Sequence, residues 1–366
     1  MDEVLAAAAA ALGERLSGPV VLAGSGRSTV LRGHGSSGGT VIVKSYPLTE
    51  TGARSFAAEA SGLTLTSAAG IGPRLLAANP DAAVIVMTDL GDAPSLADVL
   101  LGESAGAAEA AVLDWARACG RLAVATAGRE DELASLRAGL SLGAGGGRHE
   151  SRLLKAFGTL PGRAAAAGLA VPSGLGADLA ELAAVLEPCP HRVFSPGDLC
   201  PDNNLLTPSG FRFIDYEAAG FHCALLDAAY IRMPFSTCWC VFRLPATLAA
   251  AAEAAYRSEV TRVHPALAAD DVWQPGLRRA MAAWTIDVTL WLFDRARAGD
   301  RSMNDEAAAA PTARQLLRYR WRALADEVDA SGELPALGEL MRRLLAGTRT
   351  WDVPDLPVYP AFRRPA

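Results

Sequence analysis

No stretch of about 20 uninterrupted strongly apolar residues occurs in the 366-residue chain, so a membrane-spanning helix is not expected. Residues 1–16 read as a helix, but they carry Asp2, Glu3, Glu14 and Arg15 and lack the ordered basic start, apolar core and small-residue cleavage site of a secretory leader. Histidine is scarce and scattered over five positions, His34, His149, His191, His222 and His264, without metal-ligand spacing. His222, shortly after Asp215, is retained as a candidate substrate contact. The six cysteines, Cys119, Cys189, Cys200, Cys223, Cys238 and Cys240, offer only Cys238-x-Cys240, with no second closely spaced pair to complete a zinc site. Without a leader they suggest reduced thiols in a cytoplasmic protein rather than a disulfide framework. Positive charge is also short: 34 Lys and Arg against 40 Asp and Glu leave a net charge of −6, which argues against a chain built to grip nucleic acid. The balance mildly favours a cationic partner, although solubility alone accounts for it. Arg314, Arg318, Arg320 and Arg322 are expected on a solvated helix surface, offset by Asp326 and Glu327.

What the chain has in quantity is apolar residue, 51% of the total, enough for a large core and two lobes or domains. Abundant alanine suits either a helix face or a core and blurs the periodicity. The most informative segment is Ser195-Pro196-Gly197-Asp198-Leu199-Cys200-Pro201-Asp202-Asn203, followed by Phe213-Ile214-Asp215-Tyr216-Glu217. Asp198 and Asn203 flank a Pro-Asp turn, and the intervening Thr-Pro-Ser-Gly predicts a hairpin that returns Asp215 towards Asn203. Three such groups suit phosphoryl transfer. An attacking hydroxyl needs an acceptor for its proton, for which Asp198 is the candidate, and triphosphate charge needs a hard cation held by oxygens such as those of Asn203 and Asp215. Glu217, two positions on, either lies near that metal or holds the loop.

Upstream, residues 20–22 and 30–32 read as strands around Gly24-Ser25-Gly26-Arg27-Ser28-Thr29. Gly24 and Gly26 would allow close backbone approach to phosphates, and Ser28 would add a hydroxyl donor. Thr40-Val41-Ile42-Val43-Lys44 is a β-branched strand ending in lysine, and the helical stretch 53–69 carries Glu59. A strand lysine gripping phosphates while a helix glutamate holds its ammonium accounts for that order. Residues 84–91 form a further apolar strand, breaking at Gly91-Asp92-Ala93-Pro94 before a helix at 95–101.

Gly-Asp-Leu-Cys-Pro-Asp-Asn-Asn-Leu-Leu, Phe-Ile-Asp-Tyr-Glu-Ala-Ala-Gly and Ala-Leu-Leu-Asp-Ala-Ala-Tyr resemble the aminoglycoside phosphotransferase and choline kinase family of small-molecule kinases. The resemblance runs from about residue 20 to about residue 234. It implies an α+β, bilobal, protein-kinase-like fold, with a small β-rich N-lobe over residues 1–92 and a large, mainly helical C-lobe over 93–366. It implies Asp198 as catalytic aspartate, Asn203 and Asp215 as Mg2+ ligands, Asp227 as a buttress of the lobe, and a hinge at 87–94 where backbone groups near Met87, Asp89 and Leu90 meet the base of ATP or GTP. Pro196 stands where the family usually has histidine, and His191 is too far upstream to replace it simply.

Only a short segment separates Asp215 from Ala224-Leu225-Leu226-Asp227, without room for a long activation loop, and no Ala-Pro-Glu follows, which disfavours a protein substrate. The acceptor is expected to be a small, diffusible alcohol bound by the helical C-terminal portion and by the region between 95 and 190. Gly139 to Gly147 is expected to be a surface loop. Trp284, Asp287, Trp291 and Asp294 fall on one face of a helix at 277–297, offering aromatic planes and carboxylates to a cationic acceptor. The plainer account buries the tryptophans and pairs the aspartates with Arg278, Arg279 or Arg295. The expected activity is a magnesium-dependent transfer of the γ-phosphate of ATP or GTP to an aminoglycoside or related antibiotic. A metabolic kinase for choline, a sugar or an amino alcohol, and a nucleotide-binding scaffold without turnover, remain alternatives.

Overall fold

The computed structural model describes residues 1–24, 26–140, 149–233, 235, 238–304 and 310–363. In chain order the elements are α1 (Asp2–Leu12), β1 (Leu16–Gly24), β2 (Thr29–Gly35), β3 (Thr40–Ser45), α2 (Glu50–Thr66), β4 (Leu75–Asn79), β5 (Val84–Thr88), α3 (Leu96–Leu101), α4 (Ala105–Ala125), α5 (Glu130–Gly139), α6 (His149–Ala166), α7 (Leu175–Leu186), β6 (Arg192–Ser195), β7 (Asn204–Thr207), β8 (Gly210–Phe213), β9 (Gly220–Cys223), α8 (Ala224–Arg232), α9 (Ala246–Val260), α10 (Asp270–Ala298), α11 (Ala313–Ser331) and α12 (Pro335–Gly347). The chain has an α+β fold whose segments interleave into two compact units. Met1–Leu96, Arg121–Gly147 and Val193–Phe221 form the first, and Ala97–Gly120, Arg148–Arg192 and His222–Ala366 the second.

The first unit is organised by an antiparallel sheet of order β1-β2-β3-β5-β4. Alternation along its central strands sends Leu31, Val41, Val43, Val84 and Val86 to one face, where they pack with Ala8 and its neighbours on α1. The opposite parity, Val30, Arg32, Ile42, Lys44 and Met87, lines a cavity. The lysine is thus delivered to the cavity by the same period-two pattern that builds the core. The helix expected over 1–16 stops at Leu12, because Gly13 adopts φ 71° and Leu16 already begins β1. The stretch expected as helix to residue 69 ends at Thr66, followed by a single 3-10 turn.

Thr49 caps α2 by accepting from the Gly52 amide at 3.1 Å. The run Ala57 to Gly62 is small apart from Glu59, so the helix packs closely and buries that glutamate. From α5, Arg129 Nη1 donates to the Leu65 carbonyl at 2.7 Å, while Arg137 donates to Ser61 Oγ at 3.3 Å and to the Ala219 carbonyl. The hairpin predicted around Thr207 to Gly210 is present: β7 pairs with β8 in the register Asn204 to Phe213. It carries the Ile214 amide onto the Asn203 carbonyl at 2.9 Å.

In the second unit α10 packs against α6, α7, α8 and α11. Its bulk is buried because each large polar edge finds a partner. Trp273 Nε1 donates to Glu253 at 2.7 Å, Trp284 Nε1 to the Leu226 carbonyl at 2.9 Å, and Trp321 Nε1 from α11 to Thr289 Oγ1 at 2.9 Å. Arg320 corrects the expectation of a solvated arginine face. It is 0% exposed, donates to the Met233 carbonyl, and burial pulls its pKa down to about 10, with Tyr319, Tyr230 and Tyr359 only partly offsetting this. Gly139 ends α5, and residues 141–147 of the glycine-rich stretch lie outside the described residues, as does Ser25 of the first turn. Among the described residues no helix is long and apolar enough to cross a membrane.

Candidate active site

Lys44 reaches the cavity from the end of β3 and meets two carboxylates from distant parts of the chain. Its Nζ lies 2.8 Å from Glu59 Oε2 on α2 and 2.6 Å from Asp215 Oδ1 beyond β8, with Glu217 Oε2 at 3.9 Å. Tyr46, two residues on and just past the end of β3, donates its hydroxyl to Glu59 Oε2 at 2.7 Å. Lys44 is 5% exposed and Glu59 1%. Burial works against the ammonium charge, but Glu59 and Asp215 outweigh it and hold the pKa above that of an ordinary lysine. Burial first, and then Asp215, raises the Glu217 pKa, while Arg27, from the turn after β1, ion-pairs with Glu217 at 3.2 Å.

The loop ahead of β7 is held by residues whose shape the sequence specifies. Gly197 has φ 90°, and a Cβ there would fall on the carbonyl oxygen of Ala218, so no other residue fits that backbone. Ser195 Oγ accepts from the Gly197 amide at 3.2 Å, and Asp198 Oδ1 accepts from the Cys200 amide at 3.1 Å in an Asx turn. Buried Asn204 donates to the carbonyls of Leu199 and Cys200. Phe194 stacks on Tyr216 at 6.2 Å between centroids and meets Phe221 edge-on at 5.7 Å. The loop is therefore tied to the 214–221 segment through Asn203, Gly197 and Phe194. Asp215 itself sits at φ 66°, a left-handed conformation that costs a non-glycine residue energy and occurs where the surroundings impose it.

Asn203 and Asp215 line the same cavity of about 420 Å³ as Lys44, Glu59, Ser28, Met87, Asp89 and Leu90. That volume falls in the range of small-ligand sites, about 300–1,000 Å³. Around Lys44 and Arg27 stand three carboxylates, Glu59, Asp215 and Glu217, so the cluster carries an excess of negative charge that already disfavours ionisation of Glu217. Oxygen donors with excess negative charge fit a hard divalent cation such as Mg2+. Gly26 lies in the turn with open space where a Cβ would be, and Gly24 ends β1.

At the other end of the cavity Arg32 braces the chain after β5. Its Nε lies 2.7 Å from Asp89 Oδ2, and its Nη1 lies 2.7 Å from Asp92 Oδ1. Asp89 also accepts from the Gly91 amide at 2.9 Å. Burial opposes the Asp89 charge, but Thr40, Gly91 and Arg32 prevail and hold its pKa below the usual range.

The residues singled out on α10 have other partners. Asp287 pairs with Arg152 at 3.1 Å, and the same guanidinium lies 5.8 Å from the Trp284 ring; Asp294 pairs with Arg163. Trp284 is buried and Trp291 is 52% exposed, so the single face predicted for them runs from core to solvent. The arginines expected to pair with them are engaged elsewhere: Arg278 with Glu333, Arg279 with Glu181, and Arg295 with the Ser302 carbonyl. His222 is buried, with Nε2 2.8 Å from Asp227 Oδ1, and His191 meets His264 edge-on at 5.5 Å. Sequence reasoning missed Tyr46, for which the two-residue spacing from Lys44 was the signal, and Arg27, Arg32, Arg137 and Asn204. Arg137 had no local signal at all, since it lies on a helix 82 residues before the carbonyl it binds.

No protein-family model matches the sequence, and no curated protein does. Among solved structures the chain is similar to choline kinase from Cryptosporidium parvum, at 13% identity and TM-score 0.53, covering 89% of this chain and 93% of that one. It is similar to a presumptive fructosamine-3-kinase from Thermobifida fusca, at 18% identity and TM-score 0.51, covering 89% and 99%. A mutant aminoglycoside 2'-phosphotransferase-IIIa in complex with GDP aligns at 13% identity and TM-score 0.51, covering 87% and 93%. At these identities the likeness establishes the fold, that of the small-molecule kinases.

Proposed function

We propose that the chain is a nucleotide- and magnesium-dependent O-phosphotransferase of the cytoplasm, passing the γ-phosphate of ATP or GTP to a hydroxyl of a small molecule, an aminoglycoside or related antibiotic. The observation that carries this reading is the convergence of Lys44, Glu59 and Asp215, from β3, α2 and the hairpin end, on one wall of a ligand-sized cavity in a kinase fold.

In this reading Glu59 and Tyr46 hold Lys44 so that its ammonium meets the donor phosphates, while backbone groups near Met87, Asp89 and Leu90 receive the base and Gly24, Gly26 and Ser28 border the phosphates. Mg2+, held by the oxygens of Asn203 and Asp215, would neutralise phosphate charge. Asp198 orients the acceptor hydroxyl and takes its proton as the new O–P bond forms; the bond from the γ-phosphorus to the bridging oxygen breaks, and the nucleoside diphosphate leaves. Glu217, Trp284, Asp287, Trp291 and Asp294 are the proposed acceptor contacts.

A metabolic acceptor is the second reading, favoured by the choline kinase and fructosamine-3-kinase names among the similar structures. A turnover screen by mass spectrometry, with Mg2+ and ATP or GTP against aminoglycosides, other antibiotics, choline, sugars and amino alcohols, separates the two. The expected result is a phosphorylated product that disappears in Asp198→Ala while nucleotide binding persists. Near-wild-type turnover in that variant refutes the role of Asp198. Saturable nucleotide binding with no product across the panel favours a scaffold, the reading prompted by Pro196.

A further inference from the structure

The arginines of α11 divide into three groups. Arg320 is buried. Arg314 Nε donates to the Ala296 carbonyl at 2.9 Å, and its guanidinium lies 5.0 Å from the Trp351 ring. Arg318 and Arg322 fall with Gln315 and Tyr319 on one helical face, spaced three, one and three residues apart, and that face borders a cavity of about 90 Å³ completed by Arg243 and residues 353–356. We propose that this cavity binds a phosphate-sized oxyanion, the dianionic phosphate group, either free or carried on a small phosphomonoester.

Arg243 Nε is buried without a hydrogen-bond partner, and the Arg243 side chain makes no hydrogen bond among the described residues. Arg318 is anchored from one side only. Nη1 donates to the Thr348 carbonyl at 2.8 Å, to Thr348 Oγ1 at 3.0 Å and to the Leu345 carbonyl at 3.4 Å, fixing the guanidinium, while its Nε and Nη2 make no hydrogen bond among the described residues. Arg322 Nη1 lies 2.9 Å from Asp355 Oδ1. Three guanidinium groups thus face one carboxylate, an excess of two positive charges at the cavity. Arg322 first, then Arg243 and Arg318, hold the Asp355 carboxyl below its usual range, so the fields of all three converge where an anionic oxygen already sits. Like charges gathered around a buried, unsatisfied donor are costly without an anion, and the planar guanidinium fork matches phosphate oxygens. The site lies within the second unit, and none of its residues belongs to the proposed transfer machinery.

Isothermal titration of the full chain with sodium phosphate, and separately with glycerol 3-phosphate at constant ionic strength, tests this. One saturable site is expected, unchanged in the Lys44→Met/Glu59→Leu double variant, which removes the phosphate-gripping lysine of the other cavity. Arg243→Gln should weaken binding about tenfold or more, and Asp355→Asn should tighten it by removing a competing carboxylate. Should Arg243→Gln fail to fold by circular dichroism, Arg322→Gln, at a half-exposed side chain, carries the same expectation. Binding of both ligands identifies the phosphate group as the recognised unit; binding of phosphate alone identifies the free anion. The absence of saturable heat with either ligand, unchanged affinity in the arginine variant, or loss of the site in the Lys44 double variant overturns the proposal.

Discussion

Lys44→Met leaves Glu59, 1% exposed, without its cation. At the 2.8 Å separation and an effective dielectric of 20 the gross attraction is about 6 kcal/mol. Desolvating the two ions offsets most of it, so the pair contributes little net stability, whereas removing one partner strands a buried charge at a cost of about 3–5 kcal/mol. Lys44→Met is therefore expected to lower unfolding free energy by about that amount, and Lys44→Met/Glu59→Leu, which replaces both ions with apolar groups of similar volume, to recover all but about 1–2 kcal/mol. Urea unfolding with an unchanged slope measures each value. The pH dependence adds a sign. In the wild type the Lys44 pKa is raised, so its stabilisation is fully present below 10.5 and is lost only as pH rises through the still higher folded value. Turnover should drop about 10²-fold or more in both variants, because the phosphate-gripping charge is gone in each. Additive single-site losses, or a Lys44→Met cost below about 1 kcal/mol, would refute the reasoning about a buried, mutually dependent pair.

Gly197→Ala places a methyl on the Ala218 carbonyl at φ 90° and should cost about 1–3 kcal/mol in a denaturant titration. Because the loop carrying Asp198 must shift, turnover should fall about 10²-fold with nucleotide affinity retained, separable by kinetics and equilibrium binding. Asp287 is pushed above the usual carboxylate range by burial, with Arg152 only partly offsetting this. Burial penalises its charge and so offsets the attraction of Arg152, and Asp287→Asn should change stability by less than about 1 kcal/mol at neutral pH. As pH falls through the raised folded pKa towards 3.8, the wild type gains on the variant, since only it takes up the proton; a flat difference in thermal melts across that window would contradict the shift.

Much of the site was legible because its chemistry is written locally. Strand alternation set Lys44 on the face opposite Val43, helix and strand order paired it with Glu59, and a four-residue turn between two short strands returned Asp215 to Asn203. Gly197 was likewise visible as a glycine, although not as one that the Ala218 carbonyl makes obligatory. The α10 residues follow helical spacing, but their face runs from core to solvent and its aspartates pair with Arg152 and Arg163 on another helix, more than 130 residues away. Arg314 to Arg322 looked alike in one dimension; packing buried one, stacked another on Trp351, and turned two towards Arg243. Spacing and alternation are properties of a short chain segment, set by backbone geometry and turn chemistry, so the sequence by itself determined which residues share a face. Which face meets which depends on how whole helices and strands bury their surfaces, and so the partners of Lys44, Arg137, Asp287 and Arg243 were decided only by the tertiary structure.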